Sequence, residues 1–321
     1  MKAAVYYETG LPDVFKYEDV ADPECSPGSV VIDVKAISIE GGDVLNRAGG
    51  EMPKTPHIVG YQCAGIVREA GSAVTDREVG QAVVAVMPFG SHAERVAVAA
   101  MQTFPVPEGM DLAQAACVPI AYGTAHDCLF EFGRLQAGES VLIHAGAGGV
   151  GLAGIQLAKQ AGATVLSTAS SDERLERLKE FGLDHGINYR EGDWVSKVKA
   201  ASGGGVDLVV DSVGTTLQGS IDATKYKGRV VVVGNAGRAE ERLVDPAKLS
   251  EMNRSLTGVF FGGALMLEPM RGRPLVEQLI SDVGSGKLRV AIDRTYSLSD
   301  AAEAHRYIES RQAFGRVVMT P

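Results

Sequence analysis

The sequence predicts an α/β chain of two domains, a doubly wound parallel-sheet domain plus a β-rich barrel domain. Three observations carry this. From residue 140 onward, Val-rich strands alternate with helices, the pattern of a parallel sheet covered on both faces. Residues 1–105 show short runs of β-formers split by Gly, Pro, Asp and Ser, the spacing of a compact barrel or partly open sheet. The length, 321 residues, gives room for two cores.

In the first region the candidate strands are Ala3–Tyr7, Val30–Lys35, Gly65–Arg68, Ala82–Val86 and Ala93–Val96. Gly41, Gly42, Gly49 and Gly50 flank Asp43–Arg47, which reads as a single helical turn, and Pro105 and Pro107 close the region. Helical spacing follows. Asp111 is a candidate N-cap for a run starting at Leu112, and a second helix, Tyr122–Phe132, places Ala125, Leu129 and Phe132 on one face. These helices read as the bridge between the domains. The alternating part then predicts strand Val141–Ile143, helix Val150–Gln160, strand Thr164–Ser167 and helix Asp172–Phe181, capped by Ser170 or Ser171 and stopped by Gly182. Strand Gly186–Tyr189, helix Trp194–Ala201, strand Asp207–Val210, helix Thr216–Lys225 and strand Arg229–Val233 come next, and strand Leu256–Phe261 closes the domain. After Gly262 and Gly263 the tail reads as helix Pro274–Ser285, a strand near Leu288–Ala291, helix Asp300–Ser310 and strand Arg316–Met319. The β-rich part is short of covering helices, so the tail is expected to fold back onto it. The expected domains are therefore 1–121 with 263–321, and 122–262.

Bulk properties exclude several classes. Net charge is −9 with no basic block, which argues against nucleic-acid binding. No run of 18 apolar residues is present and the first residues lack a signal-peptide core, so no membrane association and a cytoplasmic location are expected. The four cysteines, Cys25, Cys63, Cys117 and Cys128, form no C-x-x-C pair, so neither a disulfide framework nor a structural zinc site is indicated. The six histidines show no metal spacing. His144, at the end of its strand, reads as a supporting contact in the following turn.

The chemistry centres on the stretch from Ser140 to Lys159. Gly146, Gly148 and Gly151 fall at the G-x-G-x-x-G spacing between an apolar strand and an amphipathic helix. Such a turn brings bare backbone, including Ala147, Gly149 and Val150, up to a pyrophosphate, with the helix N-terminus aimed at the anion. The plain alternative is a turn chosen only for tight packing. Dinucleotide folds that take NAD place an acid about 20 residues on, at the end of the second strand. Here that point reads Ser167-Thr-Ala-Ser-Ser171, with Arg174 one turn further and Tyr189 ending the next strand. Ser170, Arg174 and Tyr189 suit a 2′-phosphate, which points to NADPH (NADP⁺). Asp172 and Glu173 read as first-turn helix acids.

Several motifs then combine: the β-rich start, Ala121-Tyr-Gly-Thr-Ala125, His144-Ala-Gly-Ala-Gly-Gly-Val-Gly151, Ile187-Asn-Tyr-Arg190, Val209–Gly214, Val233-Gly-Asn235 and the tail from Asp300 to Val318. In this order they resemble the medium-chain dehydrogenase/reductase superfamily, and within it the zinc-free quinone oxidoreductase (zeta-crystallin-like) branch. The resemblance implies a Rossmann domain and a GroES-like domain. It implies cofactor contacts from Thr124, Gly234 and Asn235 and from the backbone near Phe260 and Phe261, with the nicotinamide between the domains. It also implies a homodimer through strand Leu256–Phe261. Aligned on Asp43, Gly60 and Thr124, the positions that hold catalytic zinc in the alcohol dehydrogenases of the superfamily carry Glu40, Tyr61 and Ile120. Tyr and Ile supply neither N nor S ligands, so no metal is expected.

The expected chemistry is NADPH-dependent, zinc-independent hydride transfer to a quinone or activated alkene such as an α,β-unsaturated carbonyl. Tyr61, Arg47 and Asp43 are the candidate catalytic residues, with Tyr122 nearby. Their plain alternatives are packing for Tyr122, a helix N-cap for Asp43 and a surface charge for Arg47. Two departures from the branch stand out: Glu40 replaces an Asn, and Leu45 replaces a Tyr that lines the site in many relatives. An enoyl-thioester reductase and a non-catalytic NADPH-binding redox sensor or structural protein are the alternative readings.

Overall fold

Residues 1–238 and 243–321 are described by the computed structural model, and they divide into two units: Met1–Ile120 with Arg273–Pro321, and Ala121–Gly272.

Alternating and continuous apolar runs make the strands of the first unit. These are β1 (Lys2–Val5), β2 (Lys16–Asp19), β3 (Ser29–Ser38), β4 (Gln62–Ala70), β5 (Ala82–Val86), β6 (Arg95–Ala99) and β7 (Thr103–Pro105), joined from the tail by β14 (Ile292–Ser297) and β15 (Arg316–Thr320). The main sheet runs β14-β15-β3-β4-β5-β7, with β6 also on β3, while β1 and β2 pair separately. Only β14 and β15 are parallel to each other in that sheet. Register shifts in β3 at Val31/Ile32 and Val34/Ala36 bend it, as closure of a β-rich unit requires. Val30, Ile32, Ile37, Val67, Val83 and Met319 meet in its core. Helices α1 (Gly41–Gly49), α2 (Leu112–Ala116) and α11 (Ala301–Glu309) complete this unit. Asp111 caps α2 by accepting from the Gln114 N–H at 2.9 Å.

In the second unit, β8 (Ser140–Ile143), β9 (Thr164–Ala169), β10 (His185–Asn188), β11 (Val206–Asp211), β12 (Thr224–Val232) and β13 (Ser255–Gly258) form one parallel sheet in the order β10-β9-β8-β11-β12-β13. Between them run α4 (Gly149–Gln160), α5 (Asp172–Lys179), α6 (Trp194–Ser202), α7 (Leu217–Asp222) and α8 (Pro246–Ser250), and α9 (Phe261–Leu267) follows β13. The direction of crossover reverses between β8 and β11, so the turn after β8 stands at the switch point of a doubly wound sheet. The chain passes between units within α3 (Pro119–His126) and α10 (Pro269–Gly284).

Several expectations are corrected. The turn Asp43–Arg47 is a nine-residue helix that includes its flanking Gly41, Gly42 and Gly49. The helix expected over Tyr122–Phe132 begins at Pro119, and Asp127–Glu131 continues it as a π turn. There the buried Asp127 carboxylate receives both Nη atoms of Arg271, at 2.8 and 2.9 Å. Helix Thr216–Lys225 shrinks to Leu217–Asp222 because Thr224 already enters the sheet, opposite Val206 across a register shift. Strand Leu256–Phe261 stops at Gly258. Phe261 instead opens α9, with Gly262 and Gly263 inside the helix, and its ring lies so close over Gly123 that a Cβ there would stand 2.2 Å away. Helix Pro274–Ser285 begins at Pro269, leaving Pro274 inside. The tail strand lies at Ile292–Ser297 rather than near Leu288–Ala291, because Leu288 is buried where the chain leaves α10. Helix α8 had no counterpart in the sequence reading. Among the described residues no helix is long and apolar enough to cross a membrane.

Candidate active site

The turn after β8 is built from beneath. Ser167 in β9 donates to the Ile143 carbonyl at 2.7 Å, and the Gly146 N–H donates to the Thr168 carbonyl at 3.1 Å. His144 lies 3.0 Å from Thr168 Oγ1 through Nδ1 and 3.0 Å from Ser220 Oγ through Nε2. Ser220 donates to Asp211 at 2.7 Å. Burial pushes the His144 imidazole down, so it stays neutral. Burial works against the Asp211 carboxylate, but hydrogen bonds from Gly214, Ser220 and Thr216 hold it below the usual range. His144 is thus a strut under the turn, as its place at the strand end implied.

The glycines of the turn divide by function. A Cβ on Gly146 would stand 2.1 Å from Ser167 Oγ, and one on Gly151 would stand 2.4 Å from the Ala145 carbonyl oxygen, so both are needed for strand–helix packing. Gly148 differs. A Cβ there would meet only the Ala145 carbonyl, at 3.3 Å, and its φ of −85° is open to any residue. Gly148 is also the N-cap of α4 and offers no side chain, so the first amides of the helix, at Gly149, Val150 and Gly151, have no side-chain cap. Bare backbone and uncapped donors are what a pyrophosphate needs. Ala147 is buried in the same turn.

The other expected cofactor residues lie at the carboxyl ends of neighbouring strands of the same sheet. Ser170 follows β9, half-buried, and Ser171 beside it is the N-cap of α5, accepting from the Arg174 N–H at 3.4 Å. No acid stands there before Asp172, whose carboxylate receives Asn188 Nδ2 at 3.1 Å. Arg174 is half-buried in the first turn of α5, and Tyr189 follows β10 with 46% of its surface exposed. Gly234, at φ +79°, and Asn235 follow β12. Phe260 is 76% exposed at the N-cap of α9, while Phe261 is buried; Thr124 is buried in α3. The residues present therefore fit a dinucleotide carrying a 2′-phosphate.

The three candidate catalytic residues lie in the first unit, around α1. Asp43 is not the N-cap of that helix. Glu40 is, and Asp43 stands at N3, where its carboxylate accepts the Glu40 N–H at 2.8 Å in a capping box. Burial pushes the Asp43 carboxyl well above its ordinary range, and the charge of Glu40 adds to this. Tyr61 lies over the first turn. A Cβ on Gly42 would stand 2.6 Å from its hydroxyl. Burial, then Asp43 and Glu40, hold the phenol protonated far above neutral pH. Arg47, one turn along, is no surface charge. It is fully buried and pairs through Nη2 with Glu309 of α11 at 2.5 Å, while Nε and Nη1 find no hydrogen-bond partner among the described residues. Tyr122 is buried in α3, and Leu45 is exposed.

Glu40, which stands where the branch has an Asn, is the hub of a buried network. Arg316 of β15 and Gln62 of β4 both donate to its Oε1. Arg316 also donates to Ser38 Oγ at 2.7 Å and to the Ile39 carbonyl at 2.9 Å. Gln62 Oε1 accepts the Ile120 N–H at 3.2 Å. Sequence reasoning passed over Gln62, Arg316 and Ser38. The available signal was a polar residue set into an apolar strand run: Gln62 before Cys-Ala-Gly-Ile-Val, and Arg316 before Val-Val-Met.

Comparison with known proteins places this geometry. Residues 26–108 match the alcohol dehydrogenase GroES-like domain, and residues 149–281 match the family described as zinc-binding dehydrogenase. The 2-haloacrylate reductase of a Burkholderia species is 32% identical over 99% of this chain and 98% of its own. The chain belongs to the zinc-free quinone oxidoreductase branch of the medium-chain dehydrogenase/reductase superfamily. The crystal structure of Escherichia coli quinone oxidoreductase complexed with NADPH superposes on this branch member with a TM-score of 0.93, at 28% identity and full coverage of both chains. A highly-reducing polyketide synthase of Aureobasidium melanogenum is 33% identical over 97% of this chain, which spans 14% of that protein. The two sheets described above are the Rossmann and GroES-like parts of the family.

Proposed function

We propose that the protein is an NADPH-dependent reductase that transfers hydride, without a metal, to a quinone or to an alkene activated by a carbonyl. The observation that carries this reading is the seat of Tyr61: a phenol kept protonated by burial, with its oxygen on the first turn of α1. The NADPH-complexed relative and the 2-haloacrylate reductase support the same class.

In this reading the Gly149, Val150 and Gly151 amides bind the pyrophosphate, and Ser170, Arg174 and Tyr189 bind the 2′-phosphate. Thr124, Gly234, Asn235 and the backbone at Phe260 and Phe261 hold the nicotinamide. Bound NADPH supplies the hydride. The Tyr61 hydroxyl donates a hydrogen bond to the acceptor's carbonyl oxygen, where negative charge grows as hydride adds. Burial pushes the Asp43 carboxyl well above its ordinary range, which limits the negative charge beside that oxygen. The expected dimer rests on β13, the end strand of its sheet, and on exposed Phe260, Met266, Leu267 and Met270 close by in sequence.

The test is loss of NADPH absorbance with 1,4-benzoquinone, 9,10-phenanthrenequinone, an alkenal, a 2-haloacrylate and crotonyl-CoA. Turnover of a quinone, alkenal or haloacrylate that drops about tenfold or more in Tyr61→Phe is expected. Preference for crotonyl-CoA would make the protein an enoyl-thioester reductase. NADPH binding with no turnover of any acceptor would make it a redox sensor or structural protein. A Tyr61→Phe variant equal to wild type on every acceptor would remove Tyr61 from the mechanism.

A further inference from the structure

The glycine turn is entered through a residue whose backbone conformation suits glycine better. Ala145 has φ +53°, in the left-handed region, where a side chain is strained. It is also the pivot of the turn. Its carbonyl accepts the Gly148 N–H at 2.9 Å, and a Cβ on Gly151 would press on the same oxygen. The Ala145 N–H donates to Thr168 Oγ1 at 3.3 Å. Whatever fixes the Thr168 hydroxyl therefore fixes the entry to the turn.

Four buried side chains lead away from that amide: Thr168, His144, Ser220 and Asp211. The carboxylate at the end decides the direction of every bond. Asp211 only accepts, so the Ser220 O–H points to its Oδ2, at 2.7 Å. A hydroxyl has one hydrogen. Ser220 Oγ must then accept from His144 Nε2, at 3.0 Å, and Nε2 carries the imidazole proton. Nδ1 is left bare and accepts the Thr168 O–H at 3.0 Å. Thr168 Oγ1 keeps its lone pairs for the Ala145 N–H. Trp194 packs edge-to-face on the imidazole, 4.8 Å between centroids, and holds its plane. Asp211 is itself anchored: Oδ1 accepts the Val213 and Gly214 N–H groups, each at 2.9 Å, and the Thr216 hydroxyl at 3.0 Å.

We propose that Asp211 is a positioning residue for NADPH: through a one-way chain of Ser220, His144 and Thr168 it holds Ala145 in the left-handed conformation that shapes the pyrophosphate turn. This rests on the reading of that turn as the pyrophosphate seat. Asp211 touches no part of the cofactor. It acts through the Ala145 amide.

The consequence is specific to the direction of the chain. In Asp211→Asn, Oδ1 must stay on the Val213 and Gly214 amides, so Nδ2 faces Ser220 and donates to it. Ser220 then donates to His144 Nε2, and the imidazole proton moves to Nδ1. Thr168 Oγ1 now has two donors to accept, and its hold on the Ala145 N–H weakens. Glycine at position 145 takes the left-handed conformation without that hold.

The experiment reads the His144 tautomer by ¹⁵N NMR, the NADPH Kd by fluorescence titration, and Tm. Wild type is expected to carry the proton on Nε2. Asp211→Asn is expected to move it to Nδ1 and to raise the NADPH Kd about fivefold. Adding Ala145→Gly is expected to return Kd to within about twofold of wild type while the proton stays on Nδ1. Should Asp211→Asn not fold, Ser220→Ala is taken through the same steps, because it too removes the acceptor from Nε2. The proposal is overturned if wild type carries the proton on Nδ1, if the variant lowers Tm but leaves Kd or the tautomer unchanged, or if Ala145→Gly restores nothing. Gly148→Asp, whose carboxylate would cap the first amides of α4 itself, tests the turn separately. Should it bind NADPH as wild type does, the reading of the turn as the pyrophosphate seat is what falls.

Discussion

A glycine can be present for what its absent side chain would hit or for what must come near it, and the turn after β8 contains both kinds. Gly151 faces the Ala145 carbonyl, so Gly151→Ala is expected to cost about 1–3 kcal/mol by overpacking, read as a lowered Tm. Gly148→Ala is expected to leave Tm almost unchanged and to weaken NADPH binding in fluorescence titration. Equal effects of the two on both readouts would show that the turn serves packing alone. Asp43 makes a second prediction at this scale. Its carboxyl is raised in the fold, so the folded protein binds a proton there that the unfolded chain releases as pH climbs past about 4. That contribution is complete below the unfolded value and fades as pH rises. Asp43→Asn does not titrate, so relative to wild type it is expected to gain stability between pH 4 and pH 7. A difference in urea midpoint that does not change with pH would contradict this. Single residues were also where the sequence was least legible. Neither reading of Arg47, catalytic residue or surface charge, includes its partner Glu309, which lies 262 residues away, and Glu40 reads only as a replaced Asn because Arg316 lies 276 residues away. Periodicity reports which face a residue occupies, and it carries no information about a partner at that separation.

Elements were legible where local pattern and final packing agree. The strand–turn–helix around β8 and α4 has its apolar run, its glycines and its helix in the order the structure shows, and Ser171 caps α5 as one of the two serines expected. Boundaries slipped where packing overrides propensity. Phe261 reads as the end of a strand, yet it starts a helix because its ring fills the space over Gly123. Asp127 reads as part of a regular helix, and the structure makes it the start of a π turn. Burial works against its carboxylate, but the hydrogen bonds from Arg271 hold it below the usual range. Arg271→Ala leaves that carboxylate buried and unpaired, which is expected to cost about 3 kcal/mol and to be visible as a lowered Tm at neutral pH. The loss should shrink on acidification through the carboxylate range, where the pair no longer contributes in wild type. A Tm unchanged at neutral pH would mean that the π turn holds without the pair. In the other unit, His92 and His305 approach through Nε2 at 3.1 Å, and burial pushes His92 down to about 3. The folded protein therefore resists a proton that the unfolded chain takes up. Stability should be complete above about pH 6.5 and decline as pH falls toward 3. His92→Phe is expected to flatten that decline in urea titrations, and an unchanged slope would assign the acid sensitivity elsewhere.

At the scale of the molecule, the two-part architecture was legible because each part repeats its own period many times: short β-runs in one, strand–helix alternation in the other. How the parts share the chain was an expectation too, drawn from the shortage of covering helices in the β-rich part, and residues 273–321 group with the first unit. The proposed dimer belongs to this scale. Sedimentation equilibrium is expected to show a dimer, and Thr257→Pro, which removes a strand N–H and stiffens β13, should weaken it. A monomer at micromolar concentration would remove the dimer from the proposal.

The placement of β15 has a consequence for how the protein is made. It lies between β14 and β3, inside the sheet of the first unit, and it carries the Arg316 that holds Glu40. Residues 121–272 are contiguous and include every strand of the parallel sheet, so during synthesis that sheet can close while the ribosome is still working toward residue 316. The first 120 residues, although translated earlier, must wait with an open sheet edge until the last strand emerges. The unit whose strands are translated first is therefore the unit that finishes folding last. A nascent chain arrested after residue 272 would be protease-resistant in its middle and cleavable near its start.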